Sequence, residues 1–417
     1  MKLVLLIPLG LLAFARGDFV KYDDYTVYKA IPENENQLAT LKSLQHDITF
    51  QLDFWTEPKK VGIPVDIMVP PERKEYVQDT FERHQIKYDV MIENVQSRID
   101  EEKLSNEQSK LSTEDFNWSK YHTLEEINNW LMLLTKTYPD KVTLVNGGSS
   151  YEGRKILGVK VSFRPGNENK TVWIDSLIHA REWIAGATST FILNQLLTST
   201  NSTIRSTAES HDWYFFPVIN PDGYAYTHSN DRMWRKTRTP YGRCFGTDPN
   251  RNWDYKWSDG GSTNDPCSDV YAGPKPFSEI ETRSLSEYMK GVAKQLELFI
   301  TFHSYSQLML IPYGHTTAHL DNYNITYPVG LKAVASLAQK YGTQYSVGDI
   351  AEIIYVATGS NMDWLKANYH VPFAYAYELR DQGQYGFLLP TEQIVPTGEE
   401  TLDSIITILK EADKYID

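Results

Sequence analysis

The sequence predicts an α/β domain whose mixed sheet is covered by helices on both faces, preceded by a small α+β open sandwich of β-α-β-β-α-β order. From residue 122 onward, short continuous apolar runs alternate with amphipathic helical segments, as strands buried on both faces do. Within 25–92, short β-branched and aromatic runs are separated by helical spacings in the split order of small sandwiches. The composition, 41% hydrophobic and 23% charged over 417 residues, is enough for sizeable cores and excludes long disorder.

Residues 1–17 read as a secretory leader: Lys2, an almost wholly apolar run from Leu3 to Phe14, then Ala15, Arg16 and Gly17. The run is too short for a permanent anchor, and no later window is apolar for about 18 residues, so an exported, extracellular product without a membrane span is expected. Sequons at Asn117, Asn169, Asn201 and Asn324 agree with that compartment. The net charge of −13 argues against nucleic-acid binding, which needs a basic surface.

The small unit, 18–92, has strands expected at 25–31, 48–55, 65–69 and 86–92. Leu38, Leu41 and Leu44 mark one helix, and Val77 and Phe81 a second, introduced by Pro70-Pro71. His46 and His84 stand alone on these helices and suit packing or surface roles. Residues 93–110 turn polar, with Arg98, Lys103 and Lys110 among acids and serines. Val95 and Ile99 keep a helical interval, so a connecting helix that frays into an exposed segment is expected, either a trypsin-like cleavage site or a plain linker.

The large unit, 111–417, opens on a capping box, Thr123 with Glu126, before Ile127, Trp130, Leu131 and Leu134 on one helical face. Strands are expected at 142–145, 156–161, 172–178, 213–219, 296–302, 308–312 and 372–377. Helices are expected at 183–197, 278–290 (with Ser278 and Glu281 as a second capping box), 328–341, 360–368 and 397–415. Residues 221–277 carry no sustained periodicity and read as a long functional loop. Cys244 and Cys267, the 2 cysteines of the chain, lie within it and most simply pair in an oxidising export route.

Chemistry collects at the expected strand ends. His179 and Glu182 are three apart at a strand exit, and His303 ends another strand, where an imidazole has no packing reason to be. Two His and one Glu leaving a fourth position for water are the ligand set of catalytic zinc. Glu378 ends a third strand as a candidate general base, or as a salt-bridge partner of Arg380. Arg232, Arg235 and Asn250-Arg251-Asn252-Trp253 on the long loop suit binding of a carboxylate or an oxyanion.

These motifs together resemble the secreted zinc metallocarboxypeptidases of the pancreatic A and B type. The likeness covers Glu152-Gly-Arg154, His179-Ala-Arg-Glu182-Trp183, Asn220-Pro-Asp-Gly223, Trp234-Arg-Lys-Thr237, Asn250-Arg-Asn-Trp253, His303-Ser-Tyr305, Tyr355 before Asn361-Met-Asp-Trp364, and Glu378-Leu-Arg380. It implies a zymogen in which 18–92 is an activation domain, cut after Lys110 by a trypsin-like protease, and a monomeric enzyme acting on peptides with a free C-terminal carboxylate. It further implies zinc on His179, Glu182 and His303, Glu378 as base then acid, and Arg235 at the oxyanion. Asn250, Arg251 and Tyr355 would grip the terminal carboxylate, and Arg181, Tyr305 and Phe387 would line outer subsites.

By the same resemblance, Met362 floors the side-chain pocket, with Gly314, Ile350, Ile354 and Ala357 as walls, implying removal of aromatic or aliphatic residues. A one-residue slip to Asp363 would imply removal of Lys or Arg. The chain is one residue longer than the family pattern between Trp364 and Glu378. No G-x-S-x-G elbow, phosphate-binding G-x-x-x-x-G-K loop or H-E-x-x-H helix suggests another enzyme class. The rival is a non-catalytic secreted binding protein on this fold, which would typically have lost a ligand or the base.

Overall fold

The computed structural model describes residues 19–46, 52–112, 116–164 and 170–415. The leader at 1–17, the Asn169 side chain and the first part of the strand expected at 48–55 lie outside them.

The N-terminal unit follows the expected order: β1 (Thr26–Ile31), α1 (Glu35–His46), β2 (Asp53–Phe54), β3 (Val65–Val69), α2 (Lys74–Arg83) and β4 (Lys87–Ile92). Its sheet runs β2-β3-β1-β4, all pairs antiparallel. Alternation along the strands divides the side chains between two faces. Tyr28, Ala30, Val65, Ile67 and Val69 pack with Leu41, Leu44, Val77 and Phe81 beneath the helices. Val27 and Met68 point the other way, into a cluster with Trp55, Ile99, Met233, Tyr305 and Phe387. The second unit therefore closes the open face of the sandwich, and β3 is buried along its whole length.

The connecting segment differs from expectation. It is one unbroken helix, α3 (Val95–Ser112), with Val95, Ile99 and Glu102 buried. Its hold on the large unit is partly ionic, through Glu102 and Arg232, so a purely apolar stripe does not announce it.

The large unit continues with α4 (Leu124–Thr137), β5 (Val142–Ser149), β6 (Lys155–Val161), β7 (Thr171–Ser176), α5 (Trp183–Thr198), α6 (Ser202–Ser210), β8 (Asp212–Phe216), α7 (Pro221–Ser229), the small pair β9 (Pro240–Tyr241) and β10 (Cys244–Phe245), and α8 (Ile280–Val292). Then come β11 (Leu296–Ser304), β12 (Leu308–Ile311), α9 (Tyr323–Tyr341), β13 (Ser346–Asp349), α10 (Ile350–Ile353), α11 (Asn361–Tyr369), β14 (Phe373–Leu379) and α12 (Ile394–Ala412). The 8-stranded mixed sheet runs β13-β12-β14-β11-β7-β8-β6-β5. On one face α4, α5, α9 and α12 bury Trp130, Phe191, Ala333 and Ile405 against Val172, Ile174 and Ile300. On the other, α8 and α11 bury Leu285, Met289 and Leu365 against Trp173 and Phe299. No described helix is long and apolar enough to cross a membrane.

Four expectations need correction. The stretch 221–277 is not wholly loop, because Asn220 accepts from the Gly223 amide and so starts α7. The expected capping box at Ser278 and Glu281 does not form: α8 begins at Ile280 after Glu279, and the Ser278 hydroxyl is engaged by Asn252. Helix α9 starts at Tyr323, ahead of Pro328, which lies inside it rather than at its start. Glu378 and Arg380 do not pair; Arg380 donates through Nε to Glu400 Oε1 at 2.8 Å. The Thr123–Glu126 box is present as expected.

A His-Glu-His centre beneath a carboxylate-bearing N-terminal unit

Strand alternation places two of the chemical groups. In β11, Leu298, Ile300 and Phe302 face the larger core and Phe299 the smaller, so His303 emerges on the Phe299 side. In β14, Phe373, Tyr375 and Tyr377 face the larger core, so Glu378 emerges on the same side as His303. The parallel register sets these two residues directly opposite each other. Beyond the end of β7, Leu177 takes φ 53°, and the turned chain brings up His179 and Glu182 at the start of α5.

His179 Nδ1 lies 2.8 Å from Glu182 Oε1 and 3.2 Å from His303 Nδ1, and His303 Nδ1 lies 3.1 Å from Glu182 Oε2. One donor atom from each residue falls within 4.8 Å of the others. Glu182 occupies a helix N-cap position without capping, and its two oxygens face the two imidazoles, Oε1 that of His179 and Oε2 that of His303. Three buried electron-pair donors converging with too few protons to share are what a divalent cation fits. Burial alone would raise the Glu182 carboxyl, but the two imidazoles hold it below the usual range. Burial would hold His303 down, yet Glu182 raises it. Burial pushes Glu378 up to about 8, against His303 and with Glu182.

Sequence reasoning missed Asp248. It is fully buried, its Oδ1 lies 3.1 Å from His179 Nε2 and its Oδ2 accepts from Arg235 Nη2 at 2.8 Å. Arg251 Nη1 lies 3.9 Å away. Burial would raise its carboxyl, but Arg235, His179 and Arg251 hold it well below the usual range. The need of two buried guanidinium groups for a counter-charge, in the run Asp248-Pro249-Asn250-Arg251, is the signal that could have found it. Arg251 is otherwise held by Gly261 O, Asn250 O and the Tyr355 hydroxyl. Gly359 has φ +75°, and a Cβ there would run into the Arg251 carbonyl, so a glycine is needed for the two loops to meet. Cys244 and Cys267 are bonded, closing the loop that carries Arg251.

A cleft of about 1250 Å³ brings together His179, Arg181, Glu182, Arg235, Asn250, Arg251, His303, Tyr305, Ile350, Ile354, Tyr355, Ala357, Glu378 and Phe387. Gly314 and Met362 are not on its lining. Gly314 packs behind the wall against Ala357 and Ile350, and Met362 is buried in the core beside Ile350 and Ile354. Asp363 is turned away: its carboxylate accepts from the Gly314 amide at 2.9 and 3.0 Å and from the His315 amide at 3.2 Å.

The roof of the cleft is the N-terminal unit. Arg181 Nη1 donates to Asp53 Oδ2 at 2.8 Å, the Tyr305 hydroxyl donates to Asp66 Oδ2 at 2.6 Å, and Trp55 packs on Phe387 with ring centroids 5.1 Å apart. Lys59 lies against the Tyr355 ring. Burial pushes Asp53 up to about 6, with Arg181 opposing. Arg232, expected among the ligand-binding guanidinium groups, instead makes a two-pronged pair with Glu102 at 2.6 and 2.9 Å beneath α3.

The zinc carboxypeptidase family profile matches residues 127–404, and that of the carboxypeptidase activation peptide matches 28–102. Zinc carboxypeptidase A 1 of Anopheles gambiae is 45% identical over 406 residues, 96% of this chain and 92% of that protein. Carboxypeptidase A1 of Bos taurus is 39% identical over 415 residues, 98% of this chain and 97% of that protein. Among solved structures, thrombin activatable fibrinolysis inhibitor superposes with a TM-score of 0.87 at 30% identity, covering 95% of this chain and 100% of that one. Carboxypeptidase A from Helicoverpa armigera gives 0.86 at 28% identity, covering 94% and 98%. A metal-binding triad at the strand ends, roofed by a unit that matches an activation peptide, thus sits in a chain that belongs to the zinc carboxypeptidases and is built as a zymogen.

Proposed function

We propose that this zymogen is secreted after loss of residues 1–17, is cut after Lys110 by a trypsin-like protease, and then removes aromatic or aliphatic residues from peptide C-termini. The pocket preference is carried by one observation: the Asp363 carboxylate is taken up by the Gly314 and His315 amides, leaving apolar Ile350, Ile354 and Ala357 on the lining with Met362 buried behind them. A Lys or Arg head buried there without a counter-charge would cost several kcal/mol. The apolar leader, the sequons and the disulfide support export.

His179, Glu182 and His303 hold the metal. The chemistry supplied there by bound zinc is Lewis acidity toward a carbonyl oxygen and acidification of water. Arg251, Asn250 and Tyr355 bind the terminal carboxylate, and the guanidinium fork tests for a free C-terminus because an internal peptide bond leaves it unpaired. Arg235 donates to the carbonyl oxygen as charge develops on it. Glu378 takes a proton from water and delivers it to the leaving nitrogen. Arg181, Tyr305 and Phe387, once clear of Asp53, Asp66 and Trp55, contact residues upstream of the scissile bond.

Trypsin treatment should switch on hydrolysis of a blocked dipeptide ending in Phe, and a chelator should abolish it. Activity confined to a substrate ending in Arg would overturn the pocket assignment, and no activity with zinc restored would favour a non-catalytic protein.

A further inference from the structure

We propose that His319, Asp349 and Glu352 form a second divalent-cation site, of the zinc-binding type, in the pocket wall, with Glu352 on the cleft lining. One donor atom from each lies within 4.8 Å of the others. Asp349 ends β13 and stands at the N-cap of α10, yet it makes no side-chain capping bond. It is fully buried; one carboxylate oxygen meets His319 Nδ1 and the other has no hydrogen-bond partner. A buried carboxylate oxygen with nothing to accept from is costly unless a cation or a donor meets it. His319 and Glu352 are exposed, so an ion can reach the group from solvent. The His319 ring is held in place by stacking on Tyr323, with centroids 3.9 Å apart and planes 9° apart. Among the described residues, no lysine or arginine pairs with either carboxylate. One imidazole and two carboxylates suit zinc better than calcium, which prefers oxygen alone.

The site is separate from the His179, Glu182 and His303 centre and does not depend on which C-terminal residue the enzyme removes. Its place gives it a consequence. Asp349 and Glu352 flank Ile350 on the segment that leads to Ile354 and Tyr355, whose amides both bond back to Ile350 O, at 2.9 and 3.0 Å. His319 comes from the loop that follows Gly314. A bound ion would tie that loop to the segment and stiffen one wall of the cleft.

The test uses the full-length zymogen carrying its first equivalent of zinc. It is titrated with zinc chloride, and bound metal is counted by equilibrium dialysis and elemental analysis. A second equivalent is expected to bind. His319→Ala and Glu352→Gln should each weaken it more than about tenfold while leaving the first equivalent in place. Both side chains are solvent-facing, and an unchanged melting temperature without added zinc verifies that the variants fold. Absence of a second equivalent in the unaltered protein, or a second equivalent that both variants retain, would overturn the proposal.

Discussion

Replacing Glu102 by Gln should loosen the prodomain without touching the enzyme it covers. Arg232 donates to both Glu102 oxygens, at 2.6 and 2.9 Å, with side-chain exposures of 1% and 5%. Removing one partner of such a buried pair costs about 3–5 kcal/mol, because the other charge stays buried. Here Arg232 keeps the carbonyls of Arg181 and Phe387, at 3.0 and 2.8 Å, and its place over the Trp183 ring at 3.7 Å. The glutamine carbonyl can also still accept. The loss should therefore fall lower, at about 2–3 kcal/mol, or about 30- to 150-fold in prodomain affinity. After a cut beyond Glu102, the released enzyme is chemically identical in the two proteins, so any difference belongs to the prodomain's hold. The assay dilutes the nicked zymogen and follows hydrolysis of a blocked dipeptide ending in Phe. The variant should become active at a concentration about 30- to 150-fold higher than the parent does. Coincident dilution curves would refute the reasoning and assign the hold to the Trp55, Met68 and Phe387 packing.

Ile354→Asp, on the cleft lining, should move kcat/KM toward C-terminal Lys and Arg by about a hundredfold relative to Phe, since it sets a counter-charge on an apolar wall; unchanged ratios would count against Ile354 as part of the side-chain site. Asp248→Asn should weaken zinc binding about 10- to 100-fold in chelator competition, through loss of the carboxylate that orients His179. Arg251→Ala should abolish the preference for a free C-terminal carboxylate over its amide, read as the ratio of the two kcat/KM values, while the zinc content stays at that of the parent. The Glu126 carboxyl is held below the usual range first by its bond to His122, against burial, and then by Lys120 and the Thr123 amide. A depressed folded-state value means stabilisation that is present above the unfolded value near 4.3 and is lost as the pH falls through the folded one. The melting-temperature gap between the parent and Glu126→Gln should accordingly shrink below about pH 4.

What could be read from the sequence was whatever local pattern decides. The apolar runs 296–302 and 372–377 are enough to deliver His303 and Glu378 to strand ends, while their shared face follows from the pairing of the two strands, and the Thr123–Glu126 box announces α4 by itself. What escaped depends on partners distant in sequence or on weak local signals. Helix α6 buries only Ala208 among its described apolar positions and is started by the Asn201 side chain, which reads equally as a sequon. Strand β13, Ser346–Asp349, is short and contains a glycine, and it exists because β12 pairs with it. Arg232 looked like a ligand-binding guanidinium because nothing near it in the chain is its partner; Glu102 lies 130 residues away. Asp248 was passed over for the same reason, since its role follows from His179, 69 residues earlier.

The contacts of the prodomain explain how latency and metal binding can be kept apart. The hydrogen bonds and ion pairs described for His179, Glu182 and His303 run among themselves and to Asp248 and Arg235, all within the large unit. The prodomain instead sets Asp53 on Arg181, Asp66 on Tyr305 and Trp55 on Phe387, the side chains proposed to receive the peptide upstream of the scissile bond. A roof built this way blocks approach without competing for the ligands, so its removal need not rebuild the centre. It also explains why the roof is carboxylate-bearing. Arg181 and Arg232 are buried while it is in place, and a buried guanidinium without a counter-ion would carry a desolvation cost of several kcal/mol.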